Sequence, residues 1–365
     1  MKKILIIGPF PNPISGVSLA NQTVNQVLNS TNDFKTSVIN TSYPYFEDSV
    51  GSFSLKKAFF FLKLNIQALK ILKNDIIYFT PGQTFFGILK YALFILISSI
   101  FNKELVIHIH GNYLGTQYKL LKGIKKKIFY FLVKRSDKGI VLSPSLMDNL
   151  TPFISKKNIY VLYNFAENYL SENTKELKEE NNTCLKISYL SNLMEEKGIF
   201  YLLDSLKELE RLNINYKAKI AGNIDSKLKE TILEKISLLK NTSYHGVVYG
   251  VEKKKLLDWS TIFVLPTYYK MEGQPISILE AMATNNLIIT TNHSGIADIV
   301  KDKVNGFLVK KQSSESITKA LIHLNENKLE IIKITKENKV YFSENFTIEK
   351  FKKEIINIFS QKCNN

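Results

Sequence analysis

Short apolar runs recur along the whole chain, each bounded by glycine, proline, asparagine or charged residues. Runs of this length between turn signals are typical of buried β-strands. The first series of predicted strands covers residues 4–7, 35–40, 75–80, 104–110, 139–143 and 159–163. A second series covers residues 185–190, 216–221, 242–245, 261–265, 287–291 and 306–309.

Segments with apolar residues at helical spacing separate most of these strands. After the proline-rich loop 9–16, for example, one side of a predicted helix carries Ala20, Val24, Val27 and Leu28. Strands that alternate with helices predict an α/β protein whose parallel sheets are covered by helices on both faces.

A polar stretch divides the two series of strands. Residues 166–183 are acidic, polar and poor in apolar side chains, and the chain of 365 residues is long enough for two domains. We therefore predict a first domain over residues 1–166, a linker over residues 167–183 and a second domain over residues 184–341.

The most informative stretch follows a predicted strand and covers residues 271–283, Met-Glu-Gly-Gln-Pro-Ile-Ser-Ile-Leu-Glu-Ala-Met-Ala. Gly273 is expected to adopt backbone conformations closed to other residues, and Pro275 suits the first turn of a helix. The sequence therefore places Glu272 just before a helix and Glu280 just inside it.

A free helix N-terminus binds anions, because its N–H groups and the positive end of its dipole point outward. Two carboxylates beside such a site suit a ligand with hydroxyls on both sides of a diphosphate. A sugar nucleotide is such a ligand. The simpler alternative is that the two glutamates belong to a solvated helix face.

The order Glu272-Gly273-Gln274-Pro275, then Glu280-Ala281-Met282-Ala283, resembles the E-x7-E signature of retaining glycosyltransferase family 4. The resemblance implies the GT-B fold, in which two doubly wound Rossmann-like domains face each other across a cleft. It also implies that the tail, residues 342–365, returns to the first domain. The implied catalytic residue is Glu272, which would stabilise positive charge on the sugar. The implied donor-binding residues are Gly273, Gln274, Pro275, Ile276 and Glu280, the last on the ribose hydroxyls.

Residues 190–198 follow a predicted strand and resemble the family's G-R-L-x-x-E-K-G segment, whose Arg and Lys clamp the donor diphosphate. Lys197 and Gly198 match, whereas Ser191 replaces the glycine and Asn192 replaces the arginine. An amide is a weaker phosphate donor than a guanidinium. Lys197 and Asn192 are the implied diphosphate contacts. Either Lys197 and the helix start suffice, or donor affinity is lower. A plain surface position is the simpler alternative for Lys197.

The resemblance also implies that main chain approaches the donor at Gly16, Gly222 and Val247, the last in the loop His245-Gly246-Val247-Val248. Ordinary turn glycines are the alternative at Gly222 and Gly246.

Two histidines end the predicted strand 104–110. His110 resembles the family's active-site histidine, which contacts the donor sugar, and is the second implied catalytic residue. His108 lies two residues earlier and so points to the same face of the strand. Asn164 matches the family's asparagine at the end of the first domain, and we expect a structural role for it near the hinge.

The chain is strongly basic, with 49 lysines and arginines against 33 acidic residues and a net charge of +16. Such a balance favours anionic partners, but no nucleic-acid motif is present, and we predict no nucleic-acid partner. Cys184 and Cys363 do not make a disulfide framework. The absence of any Asp-x-Asp in the sequence argues against a chelated metal. We therefore predict no metal and no cofactor.

Three segments of the first domain predict contact with an anionic membrane surface. Residues 56–73 combine Phe59, Phe60, Phe61 and Leu62 with several lysines, and residues 91–101 are apolar but too short to span a bilayer. Residues 105–136 contain no acidic residue. Their basic residues are Lys119, Lys122, Lys125, Lys126, Lys127, Lys134 and Arg135, and Leu120, Ile124, Ile128 and Phe131 fall along one helical side. Ordinary core helices with solvated lysines are the alternative.

We therefore expect a cytoplasmic glycosyltransferase, peripheral at the inner face of the cell membrane. It would transfer a hexosyl or N-acetylhexosaminyl unit from a nucleotide diphosphate sugar, with uridine as the expected base, to a lipid-linked saccharide in bacterial surface polysaccharide synthesis. Two alternatives stay open: a sugar-nucleotide epimerase of the same fold, and a GT-B subunit without catalysis that supports a partner.

Overall fold

The computed structural model describes residues 1–12, 14–43, 55–174 and 184–361, without the side chains of residues 55–58 and 61. The chain divides into two compact units. Unit 1 consists of Met1–Tyr163 and Phe351–Asn365, and unit 2 consists of Asn164–Lys350.

Each unit contains a six-stranded sheet in which neighbouring strands are parallel. The sheet of unit 1 has the order β2-β1-β3-β4-β5-β6, and that of unit 2 has the order β12-β11-β10-β7-β8-β9. Each predicted strand is present, with ends that differ by a few residues. The strands are β1 (Lys2–Gly8), β2 (Phe34–Asn40), β3 (Ile76–Phe79), β4 (Glu104–Ile109), β5 (Lys138–Val141), β6 (Ile159–Val161), β7 (Leu185–Leu190), β8 (Tyr216–Ala221), β9 (Thr242–Tyr244), β10 (Ile262–Leu265), β11 (Leu287–Thr291) and β12 (Gly306–Val309).

Helices connect the strands, as the alternating pattern predicts, and the α/β prediction is confirmed. The α-helices within the described ranges are α1 (Gly16–Asn29), α2 (Leu55–Asn65), α3 (Phe85–Leu89), α4 (Ala92–Ile100), α5 (Leu114–Leu120), α6 (Gly123–Val133), α7 (Asn168–Ser171), α8 (Ile199–Arg211), α9 (Lys229–Ser237), α10 (Gly250–Trp259), α11 (Ile276–Ala283), α12 (Ile296–Ile299), α13 (Ser314–Glu326), α14 (Lys328–Asn345) and α15 (Ile348–Ser360). A 3₁₀ helix, Ile66–Lys73, continues from α2.

The two faces of the unit 1 sheet are covered by different helices. Alternate strand residues, such as Leu5, Ile77 and Ile107, share one core cluster with buried side chains of the helices from α2 to α6. The opposite face carries Tyr78, whose ring lies 5.8 Å from that of Phe359 in α15. Both faces are therefore buried, which explains why these strands read as continuous apolar runs.

A buried lysine fixes the carboxyl end of α15 to unit 1. Lys138 Nζ, on β5, lies 2.7 Å from Glu104 Oε1 and donates to Ile358 O at 3.1 Å and Gln361 O at 2.5 Å. The ammonium thus satisfies carbonyl groups that the end of a helix leaves free.

Unit 1 ends at Tyr163, close to the predicted 166, but unit 2 begins at Asn164 instead of at 184, and the chain returns to unit 1 at Phe351 instead of at 342. Residues 164–174 belong to unit 2 rather than to a separate linker, because Ala166 N donates to Phe346 O at 3.1 Å and Asn168 Nδ2 donates to Glu349 Oε1 at 2.8 Å. The remainder of the predicted linker, 175–183, lies outside the described residues.

Candidate active site

The strand order of the unit 2 sheet reverses beside β7, which makes this position a topological switch point. Strands β8 and β9 lie on one side of β7, and β10, β11 and β12 lie on the other. At such a switch point the loops after the two central strands diverge and leave a crevice in which α/β proteins bind ligands. In unit 2 these loops are residues 191–198 after β7 and residues 266–275 after β10.

Lys197 and Glu272 come from these two loops and form an ion pair. Lys197 Nζ lies 2.6 Å from Glu272 Oε2, and Thr267 Oγ1 donates to the same oxygen at 3.0 Å. Only 14% of the lysine side chain and 8% of the glutamate side chain are exposed. No described residue donates to Glu272 Oε1, and that atom is not among the buried atoms without a partner. One carboxylate oxygen is therefore held in place while the other is accessible.

The loop that carries Glu272 is fixed by main-chain contacts. Ser294 Oγ donates to Glu272 O at 2.5 Å, and Gly295 N donates to Gly273 O at 3.0 Å. The expectation for Gly273 is wrong, because it is not among the residues with positive φ. Pro275 lies one position earlier than predicted, since it caps α11 with φ −63° and ψ 118° instead of forming its first turn.

Glu280 lies in the second turn of α11 and forms a second buried ion pair. Its Oε1 lies 2.6 Å from Lys253 Nζ, and the two side chains are 8% and 10% exposed. Burial is the largest single influence on the pKa of Lys253 and lowers it, but the charge of Glu280, its hydrogen bond with Lys253 and the nearby Tyr169 and Glu167 together raise the pKa above its ordinary value. The prediction of a helix that begins between the two glutamates is thus confirmed, and each glutamate has its own lysine.

Gln274 joins this loop to the first residue of unit 2. Asn164 N donates to Gln274 Oε1 at 2.6 Å, and Asn164 Nδ2 donates to Gln274 O at 2.9 Å. Within the described part of the chain, Asn164 Oδ1 and Gln274 Nε2 are buried and have no hydrogen-bond partner. The pair therefore keeps one acceptor and one donor that a ligand could use.

The loops after β7, β8 and β9 meet at Gly222. Gly222 has φ +136°, its N donates to Gly246 O at 2.8 Å, and a Cβ atom there would lie 1.7 Å from Ser191 O. Only glycine allows this close approach. The side chain of Asn192 is exposed, and Val247 is 47% exposed.

Comparison with known proteins identifies the part of the chain that carries this site. Residues 171–347 match the family Glycosyl transferases group 1. This segment is a glycosyl transferases group 1 domain. It contains Lys197, Glu272 and Glu280, whereas the specific assignment to family 4 and the roles of these residues stay predictions.

Two relatives of this chain carry glycosyltransferase names. An uncharacterized glycosyltransferase of Methanocaldococcus jannaschii is 27% identical over 283 residues, which are 72% of this chain and 70% of that protein. WcaL of Escherichia coli K12, a putative colanic acid biosynthesis glycosyltransferase, is 28% identical over 145 residues, 38% of this chain and 36% of that protein.

The fold of both units has solved counterparts. The structure of HepE from Anabaena, in complex with UDP and glucose, matches with a TM-score of 0.73 at 15% identity and covers 99% of this chain and 100% of that one. The fold of the protein is GT-B, as predicted.

The candidate residues of unit 1 lie outside the glycosyl transferases group 1 domain. Gly16 is the first residue of α1, which Ser15 caps. The rings of His108 and His110 are tilted by 33° with centroids 3.9 Å apart, and His108 Nδ1 lies 2.7 Å from Tyr78 Oη. Burial lowers the pKa of His110 to about 3. His110 is therefore neutral at physiological pH, and its buried Nε2 has no described partner.

The structure adds residues that sequence reasoning missed in the glycosyl transferases group 1 domain. Lys253 and Thr267 hold the two glutamates, and His293 lies beside the same loop. His293 Nε2 donates to Tyr269 O at 2.8 Å, and its Nδ1 accepts from Lys311 Nζ at 2.9 Å, so the ring is neutral. Thr267 and His293 follow strands β10 and β11, and the rule that ligands bind at the carboxyl ends of parallel strands could have found them.

Proposed function

We propose that this protein is a retaining glycosyltransferase of family 4. It transfers a hexosyl or N-acetylhexosaminyl unit from a nucleotide diphosphate sugar, with UDP as the carrier, to a lipid-linked saccharide. The observation that carries the proposal is the pair of buried Lys–Glu contacts, Lys197–Glu272 and Lys253–Glu280, at either end of the segment that starts α11. Two similar proteins support it, since WcaL is described as a putative colanic acid biosynthesis glycosyltransferase and HepE was crystallised in complex with UDP and glucose.

The charges of the site suit the leaving group. We assign Lys197, Asn192 and the N–H groups at the start of α11 to the diphosphate, whose negative charge grows as the sugar departs. The lysine and the helix dipole would neutralise this charge without a metal ion. Gly16, Gly222 and Val247 stay proposed as positions where main chain approaches the donor.

We propose front-face displacement for the transfer step. The bond between the anomeric carbon and the phosphate oxygen breaks, the acceptor oxygen bonds to the same face of that carbon, and the leaving phosphate takes the acceptor proton. Glu272 would stabilise positive charge at the anomeric carbon, because its Oε1 is accessible while Lys197 and Thr267 hold Oε2. His110, a neutral imidazole with an unpartnered Nε2, is proposed to bind a sugar hydroxyl.

The proposed acceptor suits the outer surface of unit 1. Between residues 55 and 136 only Asp75 and Glu104 are acidic, and neither lies in a helix. Helix α4 packs against both the 3₁₀ helix Ile66–Lys73 and α6, and α6 packs against α3. We call this set of helices, from α2 to α6, the basic apolar layer. Its exposed large apolar residues are Phe59, Leu62, Ile66, Leu69, Leu72, Phe86, Leu89, Leu93, Ile100, Phe101, Leu120, Ile124 and Phe131.

Helix α6 shows that this exposure is not a by-product of core packing. It buries Phe129, Leu132 and Val133, whereas Ile124 and Phe131 are 69% and 48% exposed beside the lysines. Apolar side chains among cations, with no acid nearby, match an anionic lipid interface. No helix in the described ranges is both long and apolar enough to cross a bilayer. We propose peripheral binding at the cytoplasmic face of the cell membrane; Lys56, Lys57 and Phe61 belong to the predicted surface but lie outside the described side chains.

Vesicle binding tests the membrane proposal. The protein should sediment with phosphatidylglycerol vesicles, and the double variant Ile124→Asp, Phe131→Asp should bind them at least about tenfold more weakly. Leu238→Asp, at a residue of unit 2 that is 72% exposed, is the matched control and should bind normally. Equal binding by the double variant, or retention of the wild type on DNA but not on vesicles at about 150 mM salt, would contradict the proposal.

A panel of nucleotide sugars tests the transferase proposal. We expect a UDP-sugar to raise the midpoint of thermal unfolding. The same UDP-sugar should then be consumed when extracted lipid-linked saccharides are added, also in the presence of EDTA. The product should have the same anomeric configuration as the donor. Inversion would exclude the mechanism. Formation of an epimeric nucleotide sugar without acceptor would favour the epimerase, and binding without turnover on any acceptor would favour the supporting subunit.

A further inference from the structure

The pair of Lys253 and Glu280 is unusual because both charges are buried on neighbouring helices. Lys253 Nζ and Glu280 Oε1 lie 2.6 Å apart, on α10 and α11 respectively, and each side chain is at most 10% exposed. Burying two charges costs about as much free energy as their attraction returns, so a buried ion pair is weak evidence for a role in stability.

The two oxygens of Glu280 are not equivalent. Oε1 accepts the hydrogen bond from Lys253, whereas no described residue donates to Oε2, which is not among the buried unpartnered atoms. Lys253 therefore fixes the plane and orientation of the carboxylate and leaves one accessible acceptor. Glu272 shows the same arrangement with Lys197.

Other groups around Lys253 do not compete for Glu280. Tyr169, on α7, has a buried hydroxyl, and burial raises its pKa, so it stays neutral. Glu167, just before α7, is exposed. Lys253 is thus the one described cation that contacts Glu280, and its position is set by α10, which begins at Gly250 directly after the loop that contains Val247.

We infer that Lys253 is a positioning residue that holds Glu280 so that Oε2 accepts hydrogen bonds from the ribose hydroxyls of the nucleotide donor. The inference rests on the proposed function, since it needs a nucleoside diphosphate beside α11. It goes further by assigning ribose recognition to Lys253 and Glu280 together. Helix α10 connects the loop that contains Val247, proposed to lie near the base, with Lys253, which contacts the carboxylate proposed to bind the ribose.

Competition between ribose and deoxyribose nucleotides tests the inference. The wild type should bind UDP about tenfold more tightly than 2′-deoxy-UDP or 3′-deoxy-UDP, because a hydrogen bond to a charged group is lost. In Lys253→Met this preference should fall below about threefold, with the donor KM raised about tenfold and kcat within about threefold. Lys255→Met, which removes an exposed pair with Glu252 on the same helix, should keep the preference of the wild type.

Two further variants keep the test decisive if Lys253→Met does not fold. Glu280→Gln should lose the ribose preference in the same way, and Lys253→Arg should restore part of it. An undiminished preference in Lys253→Met or in Glu280→Gln would overturn the inference, as would a loss of kcat with an unchanged donor KM. A wild type that binds UDP without preferring ribose refutes this inference alone, whereas a wild type that binds no nucleotide refutes the proposed function.

Discussion

The carboxyl ends of the two parallel sheets carry different chemistry. In unit 2 this edge carries buried charges, each lysine paired with one oxygen of a glutamate. In unit 1 it carries Tyr78, His108 and His110, whose rings are in contact with one another. Burial raises the pKa of the tyrosine and lowers the pKa of both histidines, so that the group carries no charge at neutral pH.

Under the proposed function, the difference would correspond to the two halves of a glycosyl transfer. A lysine that is paired with a glutamate can also contact a diphosphate, because the phosphate takes over some of the hydrogen bonds that the lysine makes to the carboxylate. Neutral hydrogen-bonding groups suit sugar hydroxyls, which carry no charge. The comparison therefore predicts that variants of unit 2 act on the chemistry of the phosphate and the anomeric carbon, whereas variants of the histidine group act through hydrogen bonding and pH.

The largest effect is expected from Glu272→Gln. Because this change removes the negative charge proposed to stabilise the transition state, kcat for transfer should fall about 100- to 1,000-fold while UDP affinity changes little. Initial rates with the best donor of the panel measure this. Glu195→Gln, at an exposed glutamate near Lys197, is the control, and full activity in Glu272→Gln would contradict the assigned role.

Lys197→Met should mainly weaken donor binding. The diphosphate loses a charge-assisted hydrogen bond, so the dissociation constant for UDP should rise about tenfold or more. Isothermal titration of UDP and of uridine separates the phosphate from the base: uridine affinity should stay unchanged. Equal UDP affinity in variant and wild type would show that Lys197 does not bind the diphosphate.

Acid should destabilise the protein through the histidines of unit 1. Burial lowers the pKa of His110 to about 3, so between about pH 6.5 and pH 3 the unfolded chain binds a proton that the folded protein does not. The free energy of unfolding should therefore be highest above pH 6.5 and fall as the pH falls through this window.

His110→Gln isolates this contribution. The variant should show a smaller decrease in stability between pH 7 and pH 5 in urea unfolding, by up to about tenfold in the unfolding constant per pH unit. An identical pH dependence in variant and wild type would show that folding does not lower the pKa of His110.

The smallest effect is expected from Asn164→Ala. The change removes the hydrogen bond to Gln274 O and leaves that carbonyl unpaired, which should cost about 1–3 kcal/mol of stability and lower donor affinity only a few-fold. Thermal unfolding and UDP titration measure the two effects. Asn168→Ala, at an exposed residue that bonds Glu349, is the control; equal shifts in both variants would remove any special role for the contact to Gln274.

The fold could be predicted from the sequence because parallel strands that are buried on both faces have continuous apolar sequences. The same holds for the helix between Glu272 and Glu280, where proline and the apolar spacing mark the start. The prediction for Gly273 failed because the loop is fixed by hydrogen bonds from Ser294 and Gly295 and needs no left-handed residue there.

The ion pairs could not be predicted, because their partners are brought together only by the sheet order. Lys197 and Glu272 are neighbours since β7 and β10 are adjacent, although the residues are far apart in the chain. Lys253 carries no motif at all. Its contact with Glu280 depends on how α10 and α11 pack, and no local spacing records that.

The most direct test of the central claim is a structure of the protein with a UDP-sugar bound. We predict diphosphate oxygens within hydrogen-bonding distance of Lys197 Nζ and of the first N–H groups of α11, with the ribose hydroxyls on Glu280 Oε2. A diphosphate bound away from Lys197, or a start of α11 covered by other parts of the protein, would contradict the account.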